Sequence, residues 1–283
     1  DLHKAIRRQR QMCIRDSIIT DDNIKEIELS ILKYIDLQCK KYNLRYYLGY
    51  GTLLGAVRHQ GFIPWDDDID IWMPREDYDK FISLENSLEN SKFKILSPLN
   101  NSDYYYGFAK LVSRNTELQE IGFLPIKDYG VYVDIFPLDN IATEHPFLHF
   151  IAKYIIMARI ASCNIKPWLN LTHKKKAILF RFIGIIGTLL GFRRTAKLTD
   201  KIAKIDKGKT NKRVGVFVES IGEHNIFATE YFASTIQLKF EGIYFNAPKE
   251  YRKCLTQLYG DYMQLPPENR RISGHSFKAC YRL

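Results

Sequence analysis

Pro64-Trp65-Asp66-Asp67-Asp68-Ile69-Asp70-Ile71-Trp72 sets four acids among large apolar side chains. The alternation from Asp68 to Trp72 predicts a β-strand. On a strand, Asp66, Asp68 and Asp70 project from one face while Ile69 and Ile71 enter the core. Like charges crowded in this way repel and resist ionisation unless a cation compensates them. Hard carboxylate oxygens favour Mg²⁺ or Mn²⁺ for that role. A solvated acidic loop is the ordinary reading of an isolated acidic run, but the flanking Trp65, Ile69, Ile71 and Trp72 argue against it. An EF-hand fails because its required glycine falls on Ile71 and its distal Glu is missing.

Upstream, Arg45–Leu48 reads as a strand running into Gly49-Tyr50-Gly51, with Leu53, Leu54 and Val57 on a short helix after it. Gly51-Thr52 thus occupies a strand-to-helix turn, where glycine permits close backbone approach and helix N–H groups face an anion. Thr52 either caps that helix or touches phosphate. Downstream, Val131 and Val133 share a face with Ile135, which leaves Asp134 beside Tyr132 and Phe136 on the other. In one sheet with the acidic strand, Asp134 is a candidate third metal ligand or general base, a role often worth about 10²–10⁴-fold.

The surrounding pattern supplies the scaffold. Asp21 or Asp22 caps a helix carrying Ile24, Ile27, Ile31, Ile35 and Cys39 at helical spacing. Pro74 opens a second helix with Tyr78, Phe81 and Ile82 on its apolar side. Strands are expected at Phe93–Leu96, Gly107–Val112, Val131–Phe136, Val214–Val218 and Lys239–Phe245, and a helix at Glu250–Tyr259. Helices and strands that alternate over residues 20–140 imply an α/β or α+β sheet domain.

Composition removes several function classes. The 283 residues include 17 Phe and 18 Tyr, which argues against disorder. Five scattered cysteines without a CxxC pair exclude a disulfide scaffold and a thiolate zinc skeleton. The formal net charge of +10 invites nucleic acid or an anionic membrane, yet it is unevenly placed. Residues 151–213 carry +14, residues 1–17 carry +3, and the other 203 residues carry −7. No RNP-type, helix-turn-helix or zinc-finger signature accompanies the charge, so no nucleic-acid partner is expected.

Residues 1–17 lack hydrophobic periodicity. Gln11-Met12-Cys13-Ile14-Arg15-Asp16-Ser17 reads like a translated sequencing-adapter end, so residues 1–17 are a suspected non-native scar, with a genuine N-terminal tail as the other reading, and are kept out of fold reasoning. Residues 147–192 are strongly apolar, and Phe182–Phe192 is uncharged between the basic His173–Lys176 and Arg193-Arg194. That run is shorter than the roughly 20 residues a membrane span needs. It suits either a helix lying in an anionic membrane interface or a buried helix with solvated ends.

A Gly-Ser/Thr turn, a short helix, alternating Asp-hydrophobic residues on a strand and one later acid resemble the nucleotidyltransferase superfamily. Within it the sequence resembles the LicD/fukutin-related family of phosphocholine and polyol-phosphate transferases. The matching stretches are Tyr47–His59, Gly61–Asp70, Phe108-Ala109-Lys110 with Asn115-Thr116, Val133–Asp139, Phe240-Glu241-Gly242, and Tyr259–Met263 with Pro266-Pro267. The resemblance implies an α+β fold, a nucleotidyltransferase-like mixed sheet flanked by helices, with a helical basic and apolar insertion. It implies one catalytic domain over residues 18–283: a core at 20–140, the basic and apolar segment at 147–213, and a C-terminal part at 214–283.

The implied reaction is transfer of a phosphoalcohol group from a CDP-activated donor, such as CDP-choline or CDP-ribitol. The acceptor is a hydroxyl of a glycan or lipid-linked glycan, and CMP is released. The donor diphosphate would lie at Gly51 and Thr52, with Arg58, His59 and Lys110 as further phosphate contacts. Asp68 and Asp70, with Asp66 nearby, would hold Mg²⁺ or Mn²⁺, and Asp134 would be the third ligand or the base. A choline head would find aromatic faces at Tyr50 and Tyr104-Tyr105-Tyr106. The setting implied is the inner face of the cytoplasmic membrane, reached through residues 173–213. Two other readings share the motif: a true nucleotidyltransferase that releases pyrophosphate, and an inactive glycan- or membrane-binding relative.

Overall fold

The computed structural model describes residues 18–88, 92–141, 146–163, 183–205, 212–218, 223–272 and 276–282. The suspected scar at 1–17 and the basic cluster at 173–176 lie outside these. Helix α1, Asp21–Tyr42, starts one residue before the expected caps: the Thr20 hydroxyl accepts from the Asn23 N–H, and Asp21 and Asp22 occupy the first turn. Lys40 and Lys41 sit at its other end, so both termini oppose the helix dipole. Its stripe of Ile24, Ile31, Ile35 and Cys39 is buried, as the spacing predicts, and the same stripe includes Glu28.

The chain then runs through β1 (Tyr47–Leu48), α2 (Tyr50–Arg58), β2 (Asp70–Pro74), α3 (Arg75–Ser87), β3 (Phe93–Leu96), β4 (Ala109–Ser113), β5 (Thr116–Glu120) and β6 (Tyr132–Asn140). The main sheet has the order β1-β2-β6-β4-β3. Only β2 and β6 pair in parallel within that order; the neighbours on either side are antiparallel. The fold is α+β, as expected. Ile71, Met73, Leu111, Val133 and Ile135 pack in one core with Ile31, Leu32 and Ile35 of α1 and Phe81 of α3. A second core gathers Ile24, Val112 and Tyr132 with Tyr104, Tyr105 and Tyr129. No disulfide joins the described cysteines.

Helix α4, Pro146–Cys163, and the helical residues 183–190 cross closely: a Cβ at Gly187 would overlap the Ala158 carbonyl. The expected Phe182–Phe192 helix is broken at Gly191, whose φ of 75° starts a separate helix α5, Phe192–Ala203. A left-handed residue of this kind ends a helix readily. No helix among the described residues is long and apolar enough to cross a membrane.

The C-terminal part returns to the sheet. Strand β7, Arg213–Gly215, pairs with β6 and with β8, Ile226–Ala228. The expected strand Lys239–Phe245 is instead a hairpin of β9 (Thr235–Phe240) and β10 (Ile243–Pro248). Its turn residues Glu241 and Gly242 have φ of 49° and 79°, the paired positive values of a tight hairpin turn. Glu241 then reaches back: its carboxylate accepts from the Phe62 N–H at 3.0 Å, and its own N–H donates to the Gln60 carbonyl at 3.0 Å. Helix α6, Tyr251–Tyr259, follows, and β11, Phe277–Tyr281, pairs with β5.

Candidate active site

Register builds the centre of the site. In the parallel pair, Asp70 lies opposite Asp134; in the antiparallel pair, Lys110 also lies opposite Asp134. The three polar residues therefore form one row across β2, β6 and β4, on one face of the sheet. Asp68 joins them from the loop before β2. Ligand oxygens of Asp68, Asp70 and Asp134 all lie within 4.8 Å of one another, with Asp70 and Asp134 buried and Asp68 half-buried. Lys110 Nζ donates to both Asp134 oxygens, at 2.6 and 2.9 Å, and stands 3.5 Å from the Tyr132 ring centroid.

The expected strand begins two residues late. Because β2 starts at Asp70, Asp66–Asp68 belong to a loop and do not alternate. Asp66 is accordingly grouped with Asp67 and Asp68 in a second, more open set of acids, and Asp68 belongs to both sets. Burial, then the charges of Asp68, Asp134 and Asp66, push the Asp70 carboxyl well above its usual range, with Lys110 opposing. Burial also raises Glu28 strongly, and Asp68, Asp67 and Asp134 add to it against Lys25. Clustered oxygens, an excess of acid and a buried Glu28 carboxylate oxygen with no hydrogen-bond partner among the described residues together fit a hard divalent cation.

The Gly51-Thr52 turn is built into this centre. Gly49 caps α2 without any side-chain bond, so Thr52 is not the cap. The buried Thr52 hydroxyl instead accepts from the Asp70 N–H at 2.8 Å, and the Gly49 N–H donates to the Asp70 carbonyl at 2.9 Å. Gly51 leaves room for an acid: a Cβ there would overlap the Asp66 carboxylate. Tyr50 holds a φ of 38°, and its ring packs edge-on against Trp72 and Phe136. A positive φ on a bulky residue is costly and persists where surrounding structure enforces it.

Arg58 and His59 sit at the far end of α2 from that turn. Arg58 Nη1 donates to the Tyr262 carbonyl at 2.9 Å, which joins α2 to the loop after α6. The His59 ring meets Trp65 edge-on, and burial followed by the Arg58 charge lowers its proton affinity. Tyr259 is 43% exposed as a residue, yet partial burial, then Asp70, Asp66 and Asp68, hold its phenol above the usual range while Arg58 opposes them. Tyr104 and Tyr105 are buried in the second core and offer no open aromatic face; Tyr106 covers the Lys110 ammonium at 4.4 Å.

Sequence reasoning passed over Glu28, and it noted Tyr259 only within the matching stretch Tyr259–Met263, without a role. Glu28 had a legible signal, since it follows Ile24 by one helical turn inside an otherwise apolar stripe.

The family described as LicD/FKTN/FKRP, nucleotidyltransferase domain, matches residues 43–167, from just before β1 past Asp134. The lipopolysaccharide cholinephosphotransferase LicD of Haemophilus influenzae is 31% identical over 257 residues, 87% of this chain and 92% of that protein. The chain belongs to the LicD family. It is a LicD-type enzyme, a transferase of phosphate-containing groups. An uncharacterized protein of Rickettsia typhi is 41% identical over 192 residues, 57% of this chain and 61% of its own length. A second, from Rickettsia prowazekii, is 41% identical over 68 residues, 21% of this chain and 26% of its own. The matched family span begins after α1, so Glu28 lies outside it, as do the hairpin clasp and Tyr259.

Proposed function

We propose that this LicD-family enzyme transfers phosphocholine, or a close phosphoalcohol relative, from a CDP-activated donor to a hydroxyl of a cell-surface glycan or its lipid-linked precursor. CMP is the leaving group. The observation that carries the reading is the set of oxygens that Asp68, in the loop before β2, and Asp70 and Asp134, on the parallel strands β2 and β6, bring within 4.8 Å of one another. The name of the Haemophilus relative supports choline as the alcohol and lipopolysaccharide as the acceptor.

In this reading Asp68, Asp70 and Asp134 hold Mg²⁺ or Mn²⁺. A divalent ion there supplies positive charge to the phosphate oxygens and to the oxygen departing with CMP. The chain's own residues orient the partners. The first turn of α2 presents backbone N–H groups beside Gly51, where the donor diphosphate is placed. Lys110 holds Asp134 through both carboxylate oxygens, an arrangement that suits a fixed ligand better than a proton acceptor. The acceptor hydroxyl oxygen forms a bond to the distal phosphorus as the bond to CMP breaks, and the hydroxyl proton passes to solvent, so positioning is the protein's main contribution.

The same proposal places the enzyme peripherally on an anionic, cytoplasmic membrane face. Helix α4 exposes Phe147, Phe150 and Tyr154, and residues 183–190 expose Ile185, Ile186 and Leu189. Helix α5 next in the chain exposes Arg193, Arg194, Lys197 and Lys201. Apolar side chains beside basic ones are what binding at such an interface uses.

The deciding assay mixes purified enzyme, Mg²⁺, a glycan acceptor and a panel of CDP-alcohols or nucleoside triphosphates. CMP release that needs metal and acceptor is expected, and is lost in Asp68→Asn and Asp70→Asn. Pyrophosphate from a triphosphate would shift the assignment to a nucleotidyltransferase. Sedimentation with phosphatidylglycerol vesicles, but not with phosphatidylcholine ones, is the expected membrane result.

A further inference from the structure

Glu28 is a buried acid to which the reading above gives no task. It sits on α1 between Ile24, a member of the second core with Val112 and Tyr132, and Ile31, a member of the first core. The residue is 2% exposed, and its Oε2 is buried with no hydrogen-bond partner among the described residues. An acid in the middle of an apolar stripe is costly unless something satisfies it. Lys25, on the same helix, is the cation that acts on it, whereas Asp68, Asp67 and Asp134 act in the opposite sense. Geometry ties this turn of α1 to the acidic loop: Lys25 Nζ lies 5.2 Å from the centroid of the Phe62 ring, just ahead of Asp66–Asp68.

Direct ligation is not what the geometry offers. The tight sets are Asp68–Asp70–Asp134 and Asp66–Asp67–Asp68, and Glu28 belongs to neither. Mg²⁺ characteristically keeps several of its waters, and carboxylates behind the direct ligands orient what the ion holds. We propose that Glu28 is a positioning residue of the Asp68–Asp70–Asp134 cation site, its Oε2 accepting a hydrogen bond from a water carried by the bound ion. This rests on the cation reading of the preceding section and adds α1, which lies outside the matched family span, to the working parts of the site.

The test is Mn²⁺ binding to the full chain without nucleotide, followed by electron paramagnetic resonance, alongside thermal melts of the metal-free protein. Glu28→Gln is expected to weaken Mn²⁺ binding about tenfold or more, in line with groups behind metal ligands. Its metal-free melting temperature should stay level or rise, because the cost of burying an ionisable acid is gone. Glu28→Met, which has no acceptor, should lose at least as much affinity and provides a second variant of similar size. Glu85→Gln on α3, whose carboxylate already accepts from Tyr34, should bind Mn²⁺ as the unaltered protein does. A purely structural Glu28 would give the reverse pattern: a lower melting temperature and unchanged affinity in the folded fraction. If Glu28→Gln and Glu28→Met bind normally while Asp70→Asn does not, the Glu28 role is overturned and the cation site stands. If Asp70→Asn binds Mn²⁺ as well as the unaltered chain, the cation reading itself fails.

Discussion

Strands β2 and β6 carry buried charge at both ends, and the two ends are built on opposite principles. Just past Pro74, Arg75 grips Asp139 with two nitrogens, at 2.5 and 2.9 Å, and reaches Asp200 at 2.8 Å. Lys204 bridges Asp200 and Asp79 at 2.8 and 3.2 Å. Burial alone would lower Arg75, but Asp139 and then Asp200 more than offset it, and the guanidinium ends above its usual range. At the other end Asp68, Asp70 and Asp134 cluster with a single ion pair, Lys110 to Asp134, among the described residues, and Glu28 on α1 is a further buried acid. One cluster has cations and acids interleaved, so it holds the fold. The other carries surplus charge of one sign, which the metal-free protein tolerates at a cost. Burial is common to both, so balance rather than burial separates structural charge from a site.

The largest contrast should come from Asp70→Asn. Transfer is expected to fall at least about 10³-fold, the scale for removing a group that acts on developing charge. The metal-free protein should melt no lower, since the change removes surplus charge. CMP release and calorimetry on the same preparation check both halves, and a lower melt would mean that the acid end also holds the fold. Arg75→Met should do the converse. Breaking a buried pair by removing one partner costs about 3–5 kcal/mol, read by urea unfolding, while activity per folded molecule is retained.

A pH series comes next in size. Asp70 and Glu28 have folded-state proton affinities raised above the unfolded ones. Their contribution to stability is then full below the unfolded carboxylate range, about pH 4, and is lost as pH rises through the raised folded values. Metal-free melts should therefore decline from mildly acid toward neutral pH. Added Mg²⁺ should stabilise more as pH rises, because it binds the deprotonated carboxylates. A decline that persists in Asp70→Asn combined with Glu28→Gln would show that other groups cause it. The smallest effect is expected from Arg45→Ala. Its bridge to Asp77 spans 2.7 Å, but Arg45 is 58% exposed, and such pairs are worth about 0–1 kcal/mol.

Local pattern made the scaffold legible. The stripe of Ile24, Ile31 and Ile35, the Pro74 start and the β3 boundaries all follow from spacing and backbone chemistry, and each stands as expected. Asp68, Asp70 and Asp134 were also visible, because an acid flanked by core residues is costly and stands out. What was hidden depends on how strands meet. The register that sets Lys110 beside Asp134 is invisible to either strand alone. The β2 boundary was misplaced because alternation in Asp66–Asp70 looks the same in a loop as in a strand. Lys239–Phe245 misled for a related reason: its apolar alternation continues across Glu241-Gly242, where the chain actually turns back.

That turn has a consequence for anyone who trims the gene. The span that matches the family, residues 43–167, looks like a ready-made catalytic fragment. Yet the loop carrying Asp66–Asp68 is held from outside it. Glu241 fastens the backbone at Gln60 and Phe62, just ahead of the loop, and the Tyr262 carbonyl anchors Arg58. A fragment cut to the matched span would keep every aspartate and lose the clasp that aims them. The boundary of what is recognisable in this sequence is therefore narrower than the boundary of what must be synthesised together.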